Sequence, residues 1–373
     1  MHIIQIITGL TPAGAEKVLL NLSIDLQKRG HEVTVISLLT KPCNQEIINE
    51  LISNGIKIHY LNITKLTCYR IFKLPSIINK IIAESKFSIS ETIIHTHLFH
   101  ATIAARISKL INSKLKIVST IHIADTRKTK FYYFLAERLT LNLSDAIASV
   151  SKSAQIFNAK RLLTSPDNIE VIYNGIKIPE KLSCSETNQF KLKYGIDRCT
   201  KTIGSVGRLD KQKGYDYLLS LIPEIAKIIP NNETWCILII GEGNQRKILE
   251  KMSSSLPKNI KVVLPGFKFN AASYISIFDL FIMPSKFEGF GLTLTEAMMF
   301  GVPILVSNLD VLKEVLSDYE PFDIFNFKED KKNIVKRINK LINAPHGKPS
   351  YQYTVEKMTS NYIKLYSKLF SGK

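Results

Sequence analysis

Short apolar runs alternate with amphipathic stretches along most of this chain, twice over, and that alternation leaves few folds open. Strands are predicted at residues 2–8, 32–38, 56–61, 92–95, 116–121, 146–150 and 169–172, with helical spacing at 13–29, 45–53, 70–84, 101–111 and 131–143. Succession of this kind builds a parallel sheet covered by helices on both faces. The pattern breaks around Tyr173-Asn174-Gly175, where Pro179 and the polar run 183–188 read as a linker. It then restarts, with strands at 201–206, 235–240, 260–264, 279–283 and 303–307, and helices at 215–229, 245–254 and 271–277. A chain of 373 residues is long enough for two cores. The expected architecture is α/β, with two doubly wound domains at 1–175 and 176–345 facing each other across a cleft. In the tail, Val355, Met358, Tyr362, Leu365, Tyr366 and Leu369 recur at helical spacing. That segment, 346–373, is expected to pack back on the first domain.

Composition narrows the chemistry. Hydrophobic residues at 45% and charged residues at 22% describe a globular protein rather than a disordered one. No apolar run approaches the ~20 residues that span a bilayer, and residues 1–8 lack the basic flank and cleavage site of a signal peptide. A cytoplasmic location is the expectation. The five cysteines are scattered without a C-x-x-C pair, which argues against a disulfide framework and against zinc. A formal charge of +18 favours anionic partners. The basic residues are spread and form no recognition module, so nucleic acid is not the expected partner.

In doubly wound sheets the ligand sits at the carboxyl ends of the strands. The richest such segment is Ser285-Lys-Phe-Glu288-Gly289-Phe290-Gly291-Leu292-Thr-Leu-Thr-Glu296, which follows an apolar run and opens a short helix stopped by Gly301 and Pro303. It sets Glu288 in a loop and Glu296 near free N–H groups at a helix start, where an anion is received. Thr293-x-x-Glu296 also fits a capping box, in which Glu296 only satisfies a backbone N–H. A second segment, Gly204-Ser-Val-Gly207-Arg208-Leu-Asp-Lys-Gln-Lys213-Gly214, places two cations where both reach one diphosphate; solvated loop cations are the alternative. Gly241 and Gly243 end another strand and allow close backbone approach, and Gly266-Phe267 ends the next. Each of these is also readable as a plain turn.

The first half offers less. The loop from Thr8 to Lys17, with Gly14, suits phosphate contact, but it is not a clean G-x-G-x-x-G. His95, His97 and His100 cluster without a carboxylate at metal-binding spacing. For His97 a hydrogen-bonded structural role is favoured, whereas His122, at a strand end, is suited to a substrate hydroxyl or a developing charge. Arg127-Lys128-Thr-Lys130-Phe131-Tyr-Tyr-Phe134 and Arg70-Ile-Phe-Lys73 mix cations with aromatics. Such segments suit anionic lipid headgroups, or else form ordinary helices with their aromatics in the core.

Together these residues resemble the retaining glycosyltransferases of group 1, or GT4. The resemblance covers nearly the whole chain and is sharpest in Gly207-Arg208, Lys213-Gly214, Gly241-Glu242-Gly243 and the pair Glu288 and Glu296. It implies a GT-B fold of two Rossmann-like domains, the first binding acceptor and the second a nucleotide diphosphate sugar. It also implies that Arg208 and Lys213 hold the donor diphosphate, that Glu288 contacts the transferred sugar and that Glu296 bonds the ribose. His122 would lie near the sugar, and the loop with Gly14 would close on donor or acceptor. Two departures stand out: Ala13-Gly14 replaces paired glycines, and Lys177 stands where an acidic residue is common. The expected donor base is UDP first and GDP second, with no cofactor. Without an Asp-x-Asp the chain offers no obvious Mg²⁺ handle, so metal independence is expected. The acceptor implied is a lipid-linked or oligosaccharide glycan of surface polysaccharide or lipopolysaccharide assembly, reached by a peripheral enzyme on the inner membrane face. The rival readings are an NAD(P)-dependent sugar-nucleotide oxidoreductase or epimerase, and a basic nucleic-acid-binding protein.

Overall fold

The computed structural model describes residues 1–64, 66–122 and 131–371. It resolves into two units, Met1–Lys177 with Tyr353–Lys373, and Ile178–Gln352. The first unit carries seven strands: β1 (His2–Ile7), β2 (Glu32–Leu39), β3 (Lys57–Ile63), β4 (Thr92–His97), β5 (Lys116–Ile121), β6 (Ala146–Ser149) and β7 (Glu170–Val171). They lie in the order β3-β2-β1-β4-β5-β6-β7, every pair parallel. The second unit carries β8 (Lys201–Val206), β9 (Trp235–Ile240), β10 (Ile260–Val263), β11 (Leu280–Met283), β12 (Ile304–Ser307) and β13 (Phe322–Phe325). Their order is β10-β9-β8-β11-β12-β13, again all parallel.

The strands are continuous apolar runs because helices cover both faces, which removes any polar-out alternation. β1 and β9 are buried along their whole length. In the first unit Ile4, Ile6, Ile36, Ile94 and Ile117 meet Leu74, Ile78 and Ile81 of the helix Leu74–Glu84. In the second, Ile203, Ile237, Ile239 and Ile282 share a core with Ile334, Ile338 and Leu341 of the helix Lys331–Ile342. Both strand orders reverse direction once, between β1 and β4 and between β8 and β11. The chain leaves those strands on opposite sides, so their carboxyl ends open a crevice within each unit.

The last helix, Val355–Ser371, belongs to the first unit. Tyr362 and Tyr366 are fully buried there, and Arg29 donates to Ser360 Oγ at 2.9 Å and to the Glu356 carbonyl at 3.0 Å. Among the described residues no helix is long and apolar enough to cross a membrane.

Several elements differ from the sequence expectation. The polar run predicted as a linker opens the helix Cys184–Tyr194, because Ser183 and Glu186 form a capping box: the Glu186 N–H donates to Ser183 Oγ and the Ser183 N–H to the Glu186 carboxylate. The single helix expected at 215–229 divides into Tyr215–Ser220 and Ile222–Ile225, since Pro223 has no N–H to give the preceding turn. The helices Lys152–Arg161 and Asp310–Val315 and strand β13 were not expected.

Candidate functional site

The loops leaving β8 and β11 flank the crevice of the second unit, and the sequence laces them together. Asp210 builds the first loop as an Asx-type turn, its Oδ1 accepting the N–H groups of Gln212 at 3.0 Å and Lys213 at 3.3 Å. Gln212 then bridges to the second loop. Its carbonyl accepts the Lys286 N–H at 2.7 Å, and its buried Nε2 donates to the Phe287 carbonyl at 2.9 Å. Gly214 closes the turn at φ +65°, and a Cβ there would stand 2.0 Å from the Pro284 carbonyl oxygen. Only glycine allows that approach.

This lacing aims Lys213 at Glu288. The ammonium lies 2.7 Å from Glu288 Oε1, with side-chain exposures of 16% and 8%. Ser285 Oγ donates to the same oxygen at 2.7 Å, and Ser285 is in turn fixed by Ser307 Oγ, which donates to its carbonyl at 2.5 Å. Three consecutive positions of the sheet, the ends of β8, β11 and β12, therefore hold one carboxylate. Arg208 points elsewhere: it is 61% exposed and 3.2 Å from the Asp210 carboxylate, an open arm on the same loop.

The end of β9 supports that loop from the other side. The Gly207 N–H donates to the Ile240 carbonyl at 3.0 Å, and the Leu209 N–H to the Glu242 carbonyl at 2.8 Å. Gly241 lies so close that a Cβ would be 1.9 Å from the Gly207 carbonyl oxygen; Gly243 backs onto Leu209 in the same way. The Gly241 N–H donates to the Gly266 carbonyl at 3.1 Å, which brings in the end of β10 and the exposed ring of Phe267.

Gly289 and the buried Phe290 lead into the helix Leu292–Phe300. Its N-cap is Gly291, in the left-handed region and without a side-chain cap. The capping box weighed for Thr293 and Glu296 is therefore absent. Glu296 is the fifth residue of the helix, past the four orphan N–H groups, and is buried at 4% exposure. A cap does not account for a carboxylate at that depth.

In the first unit Gly14 opens the helix Gly14–Lys28, whose N-cap Ala13 has no side-chain oxygen to offer. His122, just past β5, places Nε2 2.8 Å from His97 Nδ1, and His97 Nε2 lies 2.7 Å from Gln5 Oε1. Gln5 and His97 are wholly buried. Behind them His95 bonds Thr120 Oγ1 and Tyr366 Oη, both at 2.7 Å. Burial drives the His95 pKa down to about 3 and that of His97 well below the ordinary range, so both rings are neutral. Both His97 nitrogens are engaged in this chain, and among the described residues no group of three His, Cys, Asp or Glu side chains is placed to hold a metal ion. Arg127, Lys128 and Lys130 lie outside the described residues.

Comparison with known proteins gives this arrangement a family. Residues 186–360 match the profile of the glycosyl transferases group 1, and residues 12–178 that of glycosyltransferase family 4. An uncharacterized 41.2 kDa protein in the cps region of Klebsiella pneumoniae is 30% identical over 369 residues, 91% of this chain and 96% of its own. The chain belongs to the group 1 (GT4) glycosyltransferases. The O-antigen biosynthesis glycosyltransferase WclY of Escherichia coli is 27% identical over 273 residues, 69% of this glycosyltransferase and 73% of that one. The crystal structure of Anabaena HepE in complex with UDP-glucose superposes with a TM-score of 0.78 at 18% identity, covering 99% of this chain and 100% of that one. The two parallel-sheet units are those of the GT-B fold. Family membership sets aside the oxidoreductase and nucleic-acid readings of the same alternation. Of the residues expected at the glycosyltransferase site, Lys213 and Glu288 touch directly, Arg208 shares the loop of Lys213, and Gly207, Gly241, Gly243 and Gly266 form that loop's backbone support. Gly14 and His122 belong to the other unit. Ser285, Gln212 and Asp210, which hold this geometry, were not singled out from sequence; Ser285 three residues before Glu288 is the one local hint.

Proposed function

We propose that this glycosyltransferase moves a sugar from a nucleotide diphosphate sugar to an acceptor hydroxyl with retention of configuration, using the second unit's loops to hold the donor. The observation that carries the reading is the Lys213–Glu288 pair, fixed by Ser285 at the crevice between β8 and β11. Holding two charges out of water is costly unless they are put to use. A diphosphate and a sugar hydroxyl supply the use: the ammonium turns to the leaving phosphates and the carboxylate accepts from the sugar. Arg208 adds a second cation, and the N-terminus of the helix Leu292–Phe300 adds its dipole. Two cations at the leaving group perform the charge neutralisation that a divalent ion otherwise supplies, and on that ground we expect transfer without metal. Glu296 is assigned to the ribose, Gly266 and Phe267 to the base side. His122 is assigned to the transferred sugar, with the leaving phosphate itself accepting the acceptor's proton in a front-face reaction through an oxocarbenium-like transition state.

UDP is the favoured base, GDP the second, and the UDP-glucose complex of HepE supports that order. The names of the relatives, one in a cps region and one in O-antigen biosynthesis, support a lipid-linked or oligosaccharide acceptor in surface polysaccharide assembly. A peripheral station on the cytoplasmic membrane face fits the first unit's outer helices. The helices Phe99–Ile111, which exposes Ile107, Leu110 and Ile111, and Phe131–Thr140, which exposes Phe131, Leu135 and Leu139, pack together, and Tyr69 and Phe72 are exposed on the segment Cys68–Lys73. Flotation with anionic vesicles tests that part.

The donor reading is tested by thermal shift against UDP, GDP and their sugars, with and without EDTA. A ligand at 100 times its Kd raises stability by about 2.7 kcal/mol. The expected result is a shift that EDTA leaves intact and Lys213→Ala removes. A wild-type enzyme indifferent to every nucleotide diphosphate overturns the reading.

A further inference from the structure

Two of the five cysteines meet in the second unit at the amino ends of β8 and β9, whereas the loops of Lys213 and Glu288 leave that sheet at its carboxyl edge. Cys199 stands just before β8 and is partly exposed; Cys236 is the second residue of β9 and is wholly buried. Their thiols lie within hydrogen-bonding reach of each other. We propose that they form a reversible oxidation site, in which Cys199 reacts first with hydrogen peroxide and Cys236 then closes a disulfide.

The register of the sheet brings the groups together. Cys236 pairs with Thr202 of β8 on one side and with Lys261 of β10 on the other, so these three side chains stand in a row on one face. The Cys199 N–H donates to the Ile196 carbonyl at 3.2 Å and the Thr200 N–H to the Thr234 carbonyl at 2.9 Å, which fixes Cys199 beside the entry to β9. The Lys261 ammonium donates to the Gly195 carbonyl at 2.8 Å and is thereby held at the turn that leads to Cys199. Two thiols and one ammonium are gathered at the entries of three adjacent strands, and no spacing in the sequence announces it.

The contact makes the two thiols unequal. The bond from the Cys236 thiol, helped by the charges of Lys261 and Lys191, brings the Cys199 pKa down to about 7 against the opposing effects of burial and of Asp197. The same bond, together with burial, pushes the Cys236 thiol up, so it keeps its proton and donates. A thiolate in contact with solvent is the form that peroxides oxidise. The Cys199 thiolate attacks one oxygen of hydrogen peroxide and breaks the O–O bond; hydroxide leaves and is protonated to water, and Cys199 becomes a sulfenic acid. The Cys236 sulfur then attacks the Cys199 sulfur and breaks the S–O bond, and its proton departs with the hydroxide as a second water. Two thiols and one peroxide give one disulfide and two waters. Burial keeps the oxidant from Cys236, which fixes the order of the steps.

The test treats the reduced full chain with equimolar hydrogen peroxide at neutral pH, alkylates the remaining thiols and maps them by mass spectrometry. The expected result is a peptide pair linked through Cys199 and Cys236 and released by dithiothreitol, with Cys43, Cys68 and Cys184 still alkylated. Those three are the exposed cysteines, so accessibility alone predicts the opposite. Their oxidation, or disulfides between chains, with Cys199 and Cys236 left as thiols, overturns the proposal without any variant having to fold. Cys236→Ser keeps a hydrogen-bond donor beside Cys199, and there Cys199 should stop at a sulfenic acid that dimedone captures. Capture of Cys236 in Cys199→Ser reverses the order and refutes the assignment of the first thiol. The pH profile of Cys199 alkylation in the wild-type chain should have its midpoint near 7; a midpoint in the ordinary thiol range refutes that assignment as well.

Discussion

An ammonium and a carboxylate at 16% and 8% exposure lose much of their hydration, and their attraction must offset that loss. Ser285 contributes a charge-assisted bond to the same oxygen, which keeps the pair in one geometry. Removing either partner should therefore have different consequences. Lys213→Ala leaves the Glu288 charge without its cation, and we expect it to cost about 1–3 kcal/mol of stability and to lower transfer by about 100-fold or more. Glu288→Gln keeps the shape and a hydrogen-bonding oxygen, so it should cost less than about 1 kcal/mol while reducing transfer about as severely. Urea unfolding beside initial rates checks both; a Gln variant of full activity would remove Glu288 from the site. Residue types at strand ends made Arg208, Lys213, Glu288 and Glu296 legible in the sequence. Ser285, Gln212 and Asp210 were not, because their roles arise only where two loops distant in sequence come together.

At the level of elements, one sequence pattern gave two outcomes. Ser183-x-x-Glu186 forms a capping box, whereas Thr293-x-x-Glu296 sits inside a helix that begins at Gly291. The left-handed glycine starts the second helix two residues early, and no local pattern announces that. Ser183→Ala should therefore lower stability by about 1 kcal/mol, while Thr293→Ala should show no loss of a cap, both read from urea midpoints. Gly214→Ala is expected to cost about 1–3 kcal/mol for its backbone strain and to move Lys213 from Glu288, since the added carbon meets the Pro284 carbonyl. The loss of donor-induced thermal shift would exceed the loss of stability. The parallel strands were legible because both-face burial writes itself as unbroken Ile and Val runs. β13 was missed because Phe322-Asp-Ile-Phe325 is short, carries a charge and lies at the sheet edge. The helix Lys152–Arg161 was missed because it is mostly polar.

Across the whole molecule the histidines are shared unequally, and acid should expose that. Seven of the eight lie in the first unit; only His346 lies in the second. Burial, the largest cause in each case, pushes His2, His31, His59, His95 and His97 below the ordinary range, His95 to about 3. The unfolded chain takes up these protons near pH 6.5 while the folded unit refuses them. Between those values the unfolded state binds more protons, so stability is complete above about pH 6.5 and falls as pH drops towards 3. Each fully buried group contributes a slope of about 1.4 kcal/mol per pH unit. In the second unit the shifts that bear on acid fall on carboxylates. Its Glu233, held down by bonds from Trp235 and Thr200, and Glu329, held down by Arg337, begin to cost stability only as pH falls into the ordinary carboxylate range, about 4.5 and below. The first unit should therefore open at higher pH than the second. Trp235, the sole tryptophan and 2% exposed, reports on the second unit alone. On acidification the histidine NMR signals and tyrosine near-ultraviolet dichroism of the first unit should change while Trp235 emission stays native. Coincident transitions would mean instead that the two units unfold as one cooperative block, with the cost of protonating the first unit's histidines spread over both.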